Sequence, residues 1–144
     1  MDFIIQTDPS LSLLVLRLGL AIVFFAHGSQ QLLAWFDGQG PKQTLSNWQQ
    51  RYGIPQPVGA VGICTEFFGS LALLVGFLTR PFGLGLAIFM AVAIWKAHWK
   101  NGFFLARRAG EGNGIEFCLM LFIMALALLI GGGGTLSIDR LLTR

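Results

Sequence analysis

The chain has 144 residues, of which 54% are hydrophobic and 12% charged, with a mean hydropathy of +0.67. Too few polar side chains are available to cover the apolar ones in water, which excludes an ordinary soluble domain and points to a small integral membrane protein. The net charge of +3 sits at the ends of apolar runs and forms no stripe, so it suits anionic lipid headgroups and not nucleic acid.

The N-terminal segment carries Asp2 and Asp8 and no basic residue, and it enters an apolar run that lacks a small-residue cleavage site. A retained helix is therefore expected there, not a signal peptide. Apolar runs at residues 11–33, 58–78, 81–95 and 115–130 approach the roughly 20 residues that cross a bilayer. They lack the alternation of barrel strands, and helices alone satisfy the backbone of such runs in lipid. The expected fold is all-α: one integral membrane four-helix bundle over residues 1–144, with helices near 11–34, 57–78, 81–98 and 114–131.

Between the first two spans, residues 35–56 are polar and hold Gly38, Gly40, Pro41 and Pro55 with Trp48 and Tyr52, the composition of an interfacial helix that can act as a lid. Thr79, Arg80 and Pro81 make the second connection a tight antiparallel hairpin, with the proline suited to a first helical turn. The third span is the shortest before Lys96, which is expected to snorkel. A basic, glycine-containing loop follows at residues 97–114. The glycine run at 131–134 closes a helix instead of opening one, and no Lys-Ser/Thr pair follows it, which excludes a phosphate loop.

With side A holding the N-terminus, Arg80 and the tail, and side B holding the two longer loops, the spans alternate A to B and back. His27 and Gln31 then fall in the side-B half of the first helix, and Glu66 about 13 Å in from the side-B start of the second. Lys96 and His98 close the third helix on side B, and Glu116 opens the fourth there. Ionisable groups from all four helices thus share one depth, as a pocket opening to side B requires. Gly62, Gly69 and Gly76 repeat every seven residues around Glu66, so close packing is expected to turn that acid inward. Trp35, Trp48, Trp95, Trp99 and Tyr52 also lie near side B, as an aromatic belt or as a stacking surface for a planar ligand. A weak echo, His27 before Glu66-Phe67 and His98 before Glu116-Phe117, is what a parallel duplication would leave.

Acids inside membrane spans are costly, and function is the default suspicion for them. Glu66 and Glu116 read either as paired acids exchanging protons or as carboxylates ion-paired to Lys96, His98, His27 or Arg17 that fix helix register. His27 shares a helix face with Gln31 and suits proton transfer, with a plain interhelical hydrogen bond as the alternative. Arg17, about 9 Å in from side A, must either snorkel or find a carboxylate or carbonyl partner, and a ligand clamp is the functional reading set against snorkelling. Arg80, Trp95, Lys96, His98 and Gln31 complete the candidate ligand-binding set. No metal-ligand spacing is present, and Cys64 and Cys118 read as isolated buried thiols.

The residues Arg17-Leu18-Gly19, Phe24, His27-Gly28, Glu66-Phe67-Phe68-Gly69, Gly76, Thr79-Arg80, Ala91-Val92-Ala93, Gly102-Phe103-Phe104, Glu116 and the closing glycine run with Ser137 and Asp139 occur in an order that resembles the DoxX family of small bacterial membrane proteins. The resemblance spans nearly the whole chain. It implies four transmembrane helices, a bacterial cytoplasmic membrane with both termini inside, and membrane redox work with a quinone or with soluble thiol and superoxide enzymes. One departure stands out: the family pattern has a lysine where Gln31 precedes Leu32, so a charge expected beside the pocket is absent, unless Lys96 substitutes for it.

The leading expectation is a membrane oxidoreductase component that binds a quinone-like ligand, with Glu66, Glu116 and His27 handling protons and aromatics holding the ring. No flavin, haem or iron-sulfur motif is present, so electrons would come from a partner redox subunit. The alternatives are a non-enzymatic scaffold whose basic loop docks a soluble partner and, third, a small-solute carrier, for which a homo-oligomer would be needed. Basic residues number six on side B and four on side A, Arg144 included, which taken alone puts side B in the cytoplasm; the family resemblance implies the opposite orientation.

Overall fold

The computed structural model describes residues 2–143, so Arg144 lies outside the described residues. Among those residues every regular element is helical. A short α1 (Asp2–Ile5) precedes α2 (Leu11–Leu32), which is followed by α3 (Gly40–Tyr52), α4 (Gln56–Val75) and α5 (Thr79–Ala93). Helix α5 continues without a break through a π-helical turn at Ile94–His98 and a 3-10 turn at Trp99–Asn101. Then come α6 (Glu116–Gly131) and α7 (Ile138–Leu142).

Three helical stretches, Leu11–Leu32, Gln56–Val75 and Thr79–Asn101, are long and apolar enough to cross a membrane, and Glu116–Gly131 is a shorter apolar helix. The third span, expected to be short, is in fact extended at both ends: it starts at Thr79, and the π and 3-10 turns carry it to 23 residues. The fourth, at 16 residues, covers about 24 Å and is the one that falls short of an average hydrocarbon core. Large apolar side chains cover the outside, among them Val15, Ile22, Val61, Phe68, Ile88, Ile123 and Ile130. Such a surface suits acyl chains and not water. The protein is an all-α membrane helical bundle.

Helix α2 packs mainly on α4, α5 mainly on α6, and α4 joins the two pairs through α5. Leu20, Phe24, Leu73, Leu86, Ala87, Ala125 and Leu128 form the centre, each no more than 2% exposed. Small residues let backbones meet. A Cβ on Gly28 of α2 would lie 2.8 Å from the Phe67 Cα of α4, and a Cβ on Gly83 of α5 would lie 3.2 Å from the Ala125 carbonyl of α6. On α4, Gly62 faces Phe89 and Gly69 faces Phe82 and Leu86, so these two glycines are turned to α5, while Gly76, the third of the repeat, lies beyond the helix end against Arg17 and Ser137. Gly28→Val is expected to force α2 away from α4 at the level of Glu66. A loss of about 3 kcal/mol in thermal or denaturant unfolding in micelles is the predicted result.

The ends of the helices follow local rules. Ser10 caps α2 by accepting from the Leu13 N–H, and Ser137 caps α7 by accepting from the Arg140 N–H. Helix α4 stops at Val75, earlier than the residue 78 expected, because Gly76 adopts φ +70°. The Gly76 and Phe77 N–H groups then turn back to the Leu73 and Ala72 carbonyls, the glycine-closed helix end. A Cβ there would also strike the Arg17 guanidinium and lie 2.5 Å from the Ser137 Cβ.

Side A is sealed by the chain ends. The Arg17 Nη1 donates to the Leu73 and Leu74 carbonyls at 2.9 and 3.3 Å, and Nη2 to Leu136 O at 3.1 Å. The Asp139 carboxylate accepts from Leu78 N at 2.7 Å and Thr79 N at 2.8 Å, which are the free N–H groups at the start of α5. Arg80 Nε donates to Gln6 O at 2.8 Å, and Gly134 N to Thr7 Oγ1 at 2.6 Å. Of the alternatives open for Arg17, the carbonyl partner is the one realised: at 1% exposure it binds backbone carbonyls of α4 and the tail. Arg80 likewise fastens the N-terminal segment.

Candidate functional site

On the side-B half of the bundle, α2, α3, α4, the end of α5 and the start of α6 enclose a cavity of about 310 Å³. That is near the lower end of the range for small-molecule sites. Glu66 is the one acid among the described residues that line it. Gly28 of α2 brings α2 against α4, Gly62 and Gly69 bring α4 against α5, and Glu66, four residues after Gly62, is carried inward to 2% exposure. Gln31 of α2 is its hydrogen-bonding neighbour. Glu66 Oε2 and Gln31 Oε1 have no hydrogen-bond partner among the described residues. A buried polar atom left without a partner is costly, so both oxygens are held there at the expense of the fold.

The walls are aromatic. Phe24, Trp48, Tyr52, Phe89 and Phe117 line the space, and the Trp48 and Phe89 rings stand 5.9 Å apart at 48°. The polar stretch expected to be an interfacial lid is α3, which has Pro41 in its first turn and ends at Gly53 with φ +66°. It lies across α2 and α4, and Trp48 and Tyr52 project from it into the cavity wall. Trp48 and Tyr52 thus belong to the cavity lining. Trp35, Trp95 and Trp99 are more than half exposed and form the outer aromatic face.

The mouth on side B is built by the irregular end of α5. A π turn shifts side chains out of the regular helical phase, and such turns recur at functional sites. Here it brings Lys96, Ala97 and His98 to the lining. Lys96 does not simply snorkel: its Nζ lies 4.3 Å above the Trp95 ring, a cation–π contact at the cavity edge. His98 Nδ1 is 2.8 Å from Asn113 O. A carbonyl oxygen only accepts, so Nδ1 carries a proton and donates it there.

Of the residues singled out by sequence, the cavity brings together Glu66, His27, Gln31, Lys96 and His98. His27 lies against Phe117 of α6, ring centres 6.4 Å apart. Glu116, Arg17, Arg80 and Trp95 are not among the described residues that line it. Glu116 shares the depth of the mouth but is the first residue of α6 and turns to the loop. Its Oε2 accepts from Leu105 N at 3.2 Å, and its own N–H donates to Phe103 O at 2.9 Å. The pairing of Glu66 with Glu116 is therefore replaced by a division of labour, one acid in the cavity and one anchoring the basic loop. Trp95 is 68% exposed and serves as a platform for Lys96.

Sequence reasoning passed over Asn113 and Phe89 and named Phe117 only as part of the internal echo. Asn113 O also accepts from Asn101 Nδ2 at 2.9 Å, and Asn113 Oδ1 accepts from Ala106 N at 3.1 Å, so it ties the loop and His98 together. Cys118 lines the same cavity and is 8% exposed, while Cys64 faces outward, contrary to the expectation of two buried thiols.

Comparison with known proteins agrees with this architecture. The DoxX family model matches residues 12–99. A protein of Haemophilus influenzae without assigned function is 30% identical over 143 residues, covering 92% of this chain and 84% of that one. Inner membrane protein YqjF of Escherichia coli K12 is 31% identical over 134 residues, covering 91% of this chain and 92% of that one. No solved structure gives a significant match. The helical bundle, the match over more than half its length and these two full-length relatives make the chain a member of the DoxX family.

Proposed function

We propose that this protein is a multi-pass component of the bacterial inner membrane that binds a quinone-like ring in the side-B cavity and exchanges protons with it. The observation that carries the reading is Glu66. It is buried to 2% exposure with an unpartnered carboxylate oxygen, and it faces an aromatic-walled space about the size of a substituted single ring. A quinone takes up two electrons and two protons to become a quinol. The electrons come from a flavin- or metal-bearing partner subunit, and the protons reach the ring oxygens through Glu66, with His27 and His98 nearer the mouth. The name of the Escherichia coli relative supports the inner membrane. In the family-implied orientation both termini are cytoplasmic and the mouth opens on the outer face.

The test is binding. Purified protein in lipid nanodiscs, titrated calorimetrically with a short-chain benzoquinone, is expected to bind one equivalent. Ala93 lines the cavity, and Ala93→Phe fills it; the variant is expected to bind at least about tenfold more weakly. Absence of saturable binding, or an unaltered affinity in Ala93→Phe, would overturn the reading in favour of a scaffold whose polar groups only join helices.

A further inference from the structure

Resting on the proposed ring site, we infer that its ligand is a lipid of the bilayer, a quinone-like ring on an alkyl or prenyl tail, and that the tail leaves sideways between α2 and α6 past His27 and Phe117. Of the four seams between neighbouring spans, the one between α2 and α6 is the sparsest. These helices run antiparallel in a seven-residue register. At side A, Leu13 of α2 packs on Gly131 of α6, whose missing side chain lets the backbones close: a Cβ there would lie 2.8 Å from Leu13 Cδ1. Fourteen residues further along both helices, about 21 Å, His27 meets Phe117 with ring centres 6.4 Å apart. Midway, the same register brings positions 20 and 124 level, Leu20 being fully buried and Met124 packed against the core. The seam is thus closed on a glycine at one end and propped by two rings at the other.

Those two rings are both cavity lining and outer surface. His27 and Phe117 border the cavity, and both are exposed, Phe117 to 41%. Flanking them are Ile22 and Ala26 on α2 and Met120 and Ile123 on α6, all exposed and all apolar, a surface for acyl chains. His27 stands five residues, about 7.5 Å, inside the side-B end of α2, which puts the rings below the headgroup layer. The cavity of about 310 Å³ holds a ring and leaves no room for a long chain beside it. An apolar chain then has two ways out. The side-B mouth is lined by Lys96, His98 and Asn113, where a chain would displace water from polar groups, whereas the α2–α6 seam delivers it directly into lipid. The two openings serve different ends: protons pass the mouth, and the ligand enters from the bilayer.

The experiment titrates the protein in nanodiscs of one fixed lipid, with affinities expressed as mole fraction in the membrane so that partitioning cancels. A benzoquinone bearing a decyl chain is expected to bind comparably to the same ring bearing a methyl group. Ala26 is not among the described residues that line the cavity, and Ala26→Trp sets an indole at the outer edge of the seam. It should weaken the decyl compound at least about tenfold by overfilling the slot and leave the methyl compound unaffected. A diazirine near the ring end of the chain gives a second reading that needs no variant: photolabel displaced by excess decyl compound is expected within residues 22–27 and 117–124. Displaceable label on the loop at 101–113 or on the outer face of α4 and α5 overturns the inference while the ring site survives. So does binding of the methyl compound alone, or an Ala26→Trp variant that treats the two compounds alike. Binding of neither compound overturns both readings.

Discussion

Asp139→Ala is expected to destabilise the protein by about 4 kcal/mol and to lower its melting temperature in micelles by about 10 °C. The Asp139 carboxylate is 1% exposed and accepts from two backbone N–H groups at the start of α5, Leu78 N and Thr79 N. Removing it strands both donors. It also takes away the charge that acts on Arg17, whose guanidinium would then remain buried on carbonyls alone. Asp139→Asn keeps one acceptor oxygen and should lose about half as much. Leu78 is held at φ +49°, so the carboxylate also fixes a backbone turn that leucine does not favour. If Asp139→Ala melts within about 2 °C of the wild type, the tail is not part of the cooperative unit. Because Asp139 lies at the end of the bundle opposite the cavity, affinity for the ring should be unchanged in whatever fraction remains folded.

Depth in the membrane was legible from the chain and rotation was legible only in part. Hydropathy fixes where each run enters and leaves the bilayer, so the shared level of His27, Gln31, Glu66, Lys96 and His98 could be read from counting along helices. For Glu66 the glycines at 62 and 69 also supplied the rotational phase, because close packing must face a neighbour. Glu116 had the right depth and no such phase. As the first residue of α6 it escapes the helical surface pattern and bonds the preceding loop. The π turn at Ile94–His98 left no trace in the hydrophobic period, since a single wide turn shifts the phase only after the last apolar residues. Asn113 was invisible because its contribution is chiefly its backbone carbonyl. Asp139 was quoted only for its resemblance to a family pattern. Its partners are N–H groups about 60 positions earlier in the chain. A buried arginine without a nearby acid, Arg17, together with a serine cap at Ser137 two residues before an aspartate, was the available clue.

Replacing Glu66 by methionine is expected to separate stability from function. A buried carboxylate with one oxygen unpartnered is a liability to the fold, and an apolar side chain of similar length removes the desolvation cost. Part of the gain is offset because the Gln31 amide loses its partner. The net expectation is a protein as stable as the wild type or up to about 2 kcal/mol more stable, the pattern of a site residue held at the expense of the fold. Ring binding should nevertheless weaken, and protonation of the ring should fail. Glu66→Gln refines the point, since it keeps the shape and an acceptor oxygen but cannot deliver a proton. With dithionite supplying electrons to bound benzoquinone, stopped-flow absorbance should record quinol formation about 10²-fold slower in Glu66→Gln than in the wild type. A carboxylate that merely joins helices predicts the reverse on both measurements: a large loss of stability in Glu66→Met, because α2 and α4 would lose their polar contact, and no change in the rate of quinol formation in Glu66→Gln. The two substitutions therefore decide whether the cost of burying Glu66 is repaid by chemistry or by packing.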